Sequence, residues 1–277
     1  MDGYFAGFEP DIDVRSELRF IGGVPDLRQF DRIVVSVSGG KDSQAMLWLV
    51  KGLAEKQNVA ARLIAVYADT GMEWHDAETH VRKLCSASGV ALDIVHPVRP
   101  MIEQIRYRGQ RIIERNLLRR DGKVNSGVHF PSPRCRFCTQ NQKIDPMDKH
   151  LRQFTGKLLK VTGERWAESK ARANLPEFCR IVRVSSAKRS VYGWRPMLAF
   201  SEADIWAMVR DTGVARHQCY DLGCKRLGCA GCIFSGDNEL RIEMRENPEI
   251  FEALDRLEIE SGHSMSMNGK RIRERIR

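Results

Sequence analysis

The sequence predicts an α/β protein: a twisted parallel sheet with helices on both faces and a cysteine-rich segment toward the C-terminus. Three observations predict it. Short β-branched runs alternate with stretches whose apolar residues recur at helical spacing, the pattern of βαβ units. A loop rich in serine and glycine, within SVSGGKDSQAML (36–47), joins the first such run to the first such stretch. Two cysteine pairs with CxxC spacing stand far apart in the chain, at 135–138 and 229–232. The expected organisation is an N-terminal arm (1–30), a main α/β domain (31–213) and a cysteine-rich segment ending in a basic tail (214–277).

The elements follow in order. Residues 1–30 show no clear period and are expected to pack on the main domain as an arm or short helices. RIVVSVS (32–38) reads as a buried strand. DSQAMLWLVKGLAEKQ (42–57) reads as a helix, with Ala45, Met46, Leu49, Val50 and Leu53 at helical spacing. RLIAVYAD (62–69) and ALDIVHP (91–97) read as the next strands, and WHDAETHVRKLCSASG (74–89) as the helix between them, stopping near Gly89. KLLKVTGE (157–164) is a further buried strand running into a loop. SEADIWAMVRDTG (201–213) is a helix with Ser201 as its N-cap, acids in its first turn and a glycine at its end. The tail KRIRERIR is expected to be mobile or helical.

Of 277 residues, 42% are hydrophobic, enough for a sizeable core, and no apolar run is long enough to span a membrane. The start, MDGYFAGFEPDIDV, lacks the basic-then-apolar order of a signal peptide, so a cytoplasmic location is expected. A net charge of +9 suits a polyanionic partner such as nucleic acid, and equally a solvated basic surface. RYRGQRIIERNLLRR (106–120) carries six arginines and one acid. As a helix it sets Arg108, Arg111, Arg115 and Arg119 on one face, either for nucleic-acid phosphates or simply for solvent.

Ser38, Gly39, Gly40, Lys41, Asp42 and Ser43 sit where open parallel sheets bind ligands, between a strand end and a helix start. The glycines let backbone N–H groups turn inward, the helix start adds partial positive charge, and Lys41 adds a cation. A Walker A loop is excluded, because Val35 and Asp42 occupy positions where that motif needs glycine and serine or threonine. A carboxylate here makes sense if Asp42 holds a Mg²⁺ that bridges phosphates, or if it caps the helix. In VTGERWAESKAR (161–172), Arg165 is expected to fork onto phosphate oxygens with Arg172 beside it. Glu164 and Glu168 are expected to bind metal or orient these arginines. Cys135 and Cys138 form one CxxC, and Cys229 and Cys232 the other. Four such thiolates fit zinc or an iron–sulfur cluster, and spacing does not separate the two. Cys85 and Cys179 read as buried apolar residues.

SGGKDS (38–43) resembles the SGGxDS motif of the PP-loop ATP pyrophosphatases, the adenine nucleotide alpha-hydrolases, and YADTGMEW (67–74) resembles their second-strand motif. RCRFCTQNQKIDP (134–146), VTGERWAESKAR, WRPMLAFSEADIW (194–206) and HQCYDLGCKRLGCAGC (217–232) resemble the sulfonucleotide (PAPS and APS) reductases and their relatives, over about residues 32–234. The resemblance implies a PP-loop nucleotide-binding domain that cleaves Mg²⁺-bound ATP between its α- and β-phosphates. Lys41, Asp42 and Arg165 would be catalytic, and Asp69, Thr70, Gly163 and Arg172 would join the loop at the nucleotide. It also implies a [4Fe–4S] cluster on Cys135, Cys138, Cys229 and Cys232, with zinc as the alternative metal. Where APS reductases have adjacent cysteines, Cys135 and Cys138 stand apart, and Cys219 and Cys224 are extra. Cys224 is therefore an alternative fourth ligand.

Sulfonucleotide reductases use a catalytic cysteine near the C-terminus, and this chain has none after Cys232. The CTxxxKIxP pattern at Cys138–Pro146 and the RxGCxxC pattern at Arg226–Cys232 resemble instead the DNA phosphorothioation ATP pyrophosphatases of the DndC/SspD type. The expectation is an ATP pyrophosphatase that activates a nucleic-acid target for sulfur incorporation, with DNA, a cysteine desulfurase and other phosphorothioation proteins as partners. The alternatives are a PAPS/APS reductase and a non-enzymatic zinc protein that binds DNA. Transfer of RNA-directed sulfur, as in tRNA thiolation, is a related enzyme possibility.

Overall fold

The computed structural model describes residue 14 and residues 16–116 and 127–277. A two-stranded hairpin, β1 (Phe20–Ile21) and β2 (Val24–Pro25), precedes the main sheet. The sheet comprises β3 (Arg32–Val37), β4 (Leu63–Ala68), β5 (Ala91–Val95), β6 (Gly156–Val161), β7 (Phe178–Arg180) and β8 (Arg189–Trp194). Its order is β5-β4-β3-β6-β8-β7. The β3–β4, β3–β6 and β6–β8 pairs are parallel, and β7 runs antiparallel at the edge. The helices are α1 (Lys41–Lys56), α2 (Ala77–Ser88), α3 (Met101–Asn116), α4 (Phe137–Thr139), α5 (Asp145–Leu151), α6 (Glu202–Asp211), α7 (Asp237–Glu246), α8 (Pro248–Ser261) and α9 (Ile272–Arg275). Residues Gln140–Ile144 form a π-helical turn between α4 and α5. Among the described residues no helix is long and apolar enough to cross a membrane.

Alternation along β3 explains why both faces are covered. Ile33, Val35 and Val37 enter one apolar cluster with Met46 and Val50 of α1, Val81 and Leu84 of α2, and Ile205 and Val209 of α6. Val34 points the other way, into a second cluster with Leu158, Val191 and the α5 residues Met147 and Leu151. The arm packs on the first cluster through Val14, Leu18, Leu27 and Phe30. Ser201 caps α6 as expected, exchanging hydrogen bonds with Asp204. β3 to β6 and the helices α1, α2 and α6 lie within a few residues of their predicted spans, whereas β1, β2, β7 and β8 had none.

The division into compact units differs from the expected sequential one. One unit holds the sheet: residues up to 67, 77–95 and 147–217. The other is assembled from three separate segments, 68–76, 96–146 and 218–277. The chain leaves the sheet unit after β4 and again after β5, so the cysteine-rich segment shares its unit with earlier loops. The basic tail is not a free appendage. Ile272 of α9 is buried, and Arg273 and Arg275 pair with Asp255 and Asp237.

Candidate functional site

In the sheet unit, β3 ends at Val37 and the chain turns through Gly39, whose φ of +77° is accessible to glycine without strain. Gly40 is the N-cap of α1 and has no side chain to cap with. The Ser43 hydroxyl donates to the Gly40 carbonyl at 2.9 Å and accepts the Ser38 N–H at 3.2 Å, fixing the loop from inside. The first N–H groups of a helix lack intrahelical partners, and here they face a loop built by glycine and serine.

Asp42 is not the cap. It stands in the first turn of α1, accepts from Arg165 Nε at 2.5 Å and lies 3.2 Å from Lys41 Nζ. Lys41 is 4% exposed and Arg165 6%, so two nearly buried cations converge on one carboxylate. Glu202, at the start of α6, lies 3.7 Å from Lys41, whose ammonium sits 5.9 Å over the Trp206 ring. Sequence reasoning missed Glu202 and Trp206 as neighbours of Lys41. Their acidic and aromatic pattern was legible, but nothing local ties them to a residue so far back in the chain. Arg165 donates its backbone N–H to Glu168, and Glu168 also pairs with Arg172. Arg172, expected at the phosphates, is thus engaged by its own loop. Gly163 lies against the same turn, where an added methyl would stand 3.5 Å from the Asp42 carbonyl oxygen. Glu164 pairs loosely with Arg195 at 3.9 Å.

The second unit contains the segment after β4. Asp69 accepts the Gly71 N–H at 2.9 Å and faces His96 at 3.4 Å. Thr70 is buried, and its N–H and hydroxyl both bond Glu73.

All four CxxC cysteines lie in this unit, and three have a cation beside the sulfur. Lys143 Nζ is 3.3 Å from Cys229, Arg226 is 3.7 Å from Cys232, and Arg108 is 3.9 Å from Cys135. Glu73 lies 3.8 Å from Cys229. Burial pushes the Cys229 thiol up to about 12 against the pull of Lys143. Burial and the Cys232 sulfur also raise Cys138. Cys232 therefore acts electrostatically on both Cys138 and Cys229. The donor chemistry fits a thiolate-held group, with cations placed to balance its negative charge. Yet among the described residues no three His, Cys, Asp or Glu side chains are gathered to hold a metal ion as they stand. Cys224, the alternative ligand, is set with Cys219 and the carboxylates of Glu239 and Glu243 instead. Cys85 and Cys179 are buried, as expected of apolar residues.

The arginine face of α3 is only partly available. The Arg108 guanidinium stacks 4.5 Å from the Phe137 ring beside Cys135. Arg111 pairs with Glu114 at 2.9 Å, and Arg115 is exposed. Arg119 lies outside the described residues.

A parallel sheet with a glycine-serine phosphate loop at the end of β3 defines a PP-loop α/β protein. Residues 32–234 match the phosphoadenosine phosphosulfate reductase domain, and the chain belongs to that family. It is 28% identical over 237 residues to an uncharacterised 37.8 kDa protein of Escherichia phage 186, covering 75% of this chain and 68% of that protein. It is 23% identical to an adenosine 5′-phosphosulfate reductase of Staphylococcus epidermidis, over 72% of this chain and 70% of the relative. Among solved structures, the PAPS reductase of Candida auris in complex with phosphate aligns with a TM-score of 0.47 at 17% identity, covering 73% of this chain and 83% of that one.

Proposed function

We propose that the protein is an ATP pyrophosphatase that activates a nucleic-acid phosphate for replacement of oxygen by sulfur. DNA is the acceptor and a cysteine desulfurase the sulfur source. The observation that carries this reading is half-buried Asp42 held between buried Lys41 and Arg165 at the helix start of a glycine loop. Such a group favours a polyphosphate leaving group: two cations for the anion and one carboxylate that can turn to its metal. Mg²⁺ bound with ATP would supply positive charge on the departing pyrophosphate, with Asp42 as its protein ligand.

In the reaction, an acceptor oxygen attacks the α-phosphorus. The bond to the α–β bridging oxygen breaks, and pyrophosphate departs with the electron pair. Lys41, Arg165 and the loop N–H groups receive that charge. The terminal sulfur of a cysteine persulfide then attacks the adenylated acceptor phosphorus, and AMP leaves. A second thiol attacks the cysteine sulfur of the resulting P–S–S–Cys link, releasing the phosphorothioate and leaving a disulfide that a dithiol reductant returns to two thiols. A [4Fe–4S] cluster held by all of Cys135, Cys138, Cys229 and Cys232 would supply a redox centre when bound, whereas one held by three of them would supply an open iron for a sulfur ligand. Zinc there would supply a clamp alone.

ATP labelled at the α-phosphate, incubated anaerobically with Mg²⁺, DNA and a desulfurase, tests the reading. AMP formation that Asp42→Ala abolishes is the expected result. Intact ATP, together with thiol-dependent sulfite release from APS or PAPS, overturns it in favour of a sulfonucleotide reductase.

A further inference from the structure

Cys219 and Cys224 belong to neither CxxC pair, and the backbone explains why they stand together. The Cys224 N–H donates to the Cys219 carbonyl at 2.9 Å, and the Gly223 N–H donates to the Tyr220 carbonyl at 3.3 Å. Gly223 has a φ of +102°. An outer six-to-one bond, an inner bond and a left-handed glycine form a Schellman closure, a motif that frequently sets the side chains of its first and sixth residues against each other. Here both are cysteines. Cys219 is fully buried and Cys224 is 4% exposed. The Cys224 sulfur is the foremost electrostatic neighbour of Cys219. Disulfide geometry asks for Cα atoms about 4.4–6.8 Å apart, the range into which closing a six-residue turn folds its ends.

The pair has its own neighbours, apart from those of the CxxC thiols. Asp76 and Glu243 act on Cys219, and Glu239 and Glu243 act on Cys224. Lys143, Arg226 and Arg108 stand at Cys229, Cys232 and Cys135.

We propose that Cys219 and Cys224 are a disulfide-forming pair, a reversible redox modification site separate from the four CxxC thiols and oxidised by disulfides of the glutathione class. One cysteine thiolate attacks a sulfur of glutathione disulfide, and a glutathione thiolate leaves. The second cysteine thiolate attacks the protein sulfur of that mixed disulfide, and the second glutathione thiolate leaves. The two thiol protons end on the two glutathiones, which are reduced by the two electrons the pair gives up. The step uses neither ATP nor a bound metal, so it stands independently of the pyrophosphatase reading.

The test equilibrates the full chain anaerobically in glutathione buffers of graded poise, approached from both reduced and oxidised protein, followed by alkylation and peptide mapping. The expected result is a peptide carrying Cys219 and Cys224 that is unalkylated and lighter by two hydrogens. It should appear in the oxidising buffers, with Cys85 and Cys179 alkylated after unfolding throughout. Cys224→Ser should leave Cys219 alkylatable or glutathionylated while the CxxC pairs oxidise as before. Recovery of Cys219 and Cys224 as alkylated thiols in the most oxidising buffer overturns the proposal, as does a disulfide from either of them to another cysteine.

Discussion

Asp42 lies within ion-pair reach of both Lys41 and Arg165, so its removal changes binding and stability together. Asp42→Ala takes a carboxylate away from two nearly buried cations, at an expected cost of about 1–3 kcal/mol. It also makes the site more positive. Inorganic pyrophosphate without metal should therefore raise the thermal unfolding temperature of Asp42→Ala more than that of the native protein. Equal shifts would show that the cations do not receive the anion. Glu243 offers a second test at this scale. Burial pushes its carboxyl up to about 7, although it accepts from the Gly231 N–H at 3.1 Å and from the Ser235 hydroxyl at 2.8 Å. A raised carboxyl contributes stability that is full below its unfolded value near 4.5 and is lost as pH rises through about 7. Glu243→Gln keeps an acceptor and removes the titration. Its urea midpoint should fall less between pH 5 and pH 8 than that of the native protein, on the order of a kcal/mol less. Parallel pH profiles would sink the assignment.

At the scale of elements, backbone geometry fixes positions that side-chain patterns leave open. Gly156 begins β6 with φ of +86°, and an added Cβ would run into the Asp31 carboxylate, which accepts the Lys157 N–H at 2.7 Å. Gly156→Ala should lower stability by about 1–3 kcal/mol, read as a shift in urea midpoint. A neutral substitution would mean that the strand start relaxes freely. The same contrast explains what the sequence made legible. α1 and α2 follow a strong helical period because their apolar residues face one cluster, and β3 and β4 read as apolar runs because both of their faces are buried. α7 and α8 escaped the reading because acids interrupt their apolar stripes: Glu243 and Glu258 are buried among Leu240, Met244, Leu254 and Leu257. Glu258 accepts the Met265 and Ile272 N–H groups, each at 2.7 Å. A buried acid that ties down a later segment looks, in sequence, like a solvated charge.

For the whole molecule, the phosphate loop was legible because its chemistry is contiguous, from Ser38 to Ser43. The make-up of the second unit was not, since no local pattern says which distant segments gather around Cys229 and Cys232. Charge shows the same limit. A net charge of +9 and the arginines of α3 suggested a phosphate-binding face, yet one helix carries arginines with different tasks. Arg115 is exposed, whereas Arg108 is engaged by Phe137 and Cys135. Each phosphate contact contributes close to one unit to the log–log salt dependence of DNA affinity. If α3 meets DNA, Arg115→Ala should weaken binding across sequences and reduce the salt slope by about one. Arg108→Ala should leave the slope unchanged. A slope insensitive to Arg115 would remove α3 from the nucleic-acid surface. A slope that falls with Arg108 would mean that this arginine leaves Cys135 to reach phosphate, coupling acceptor binding to exposure of a thiol.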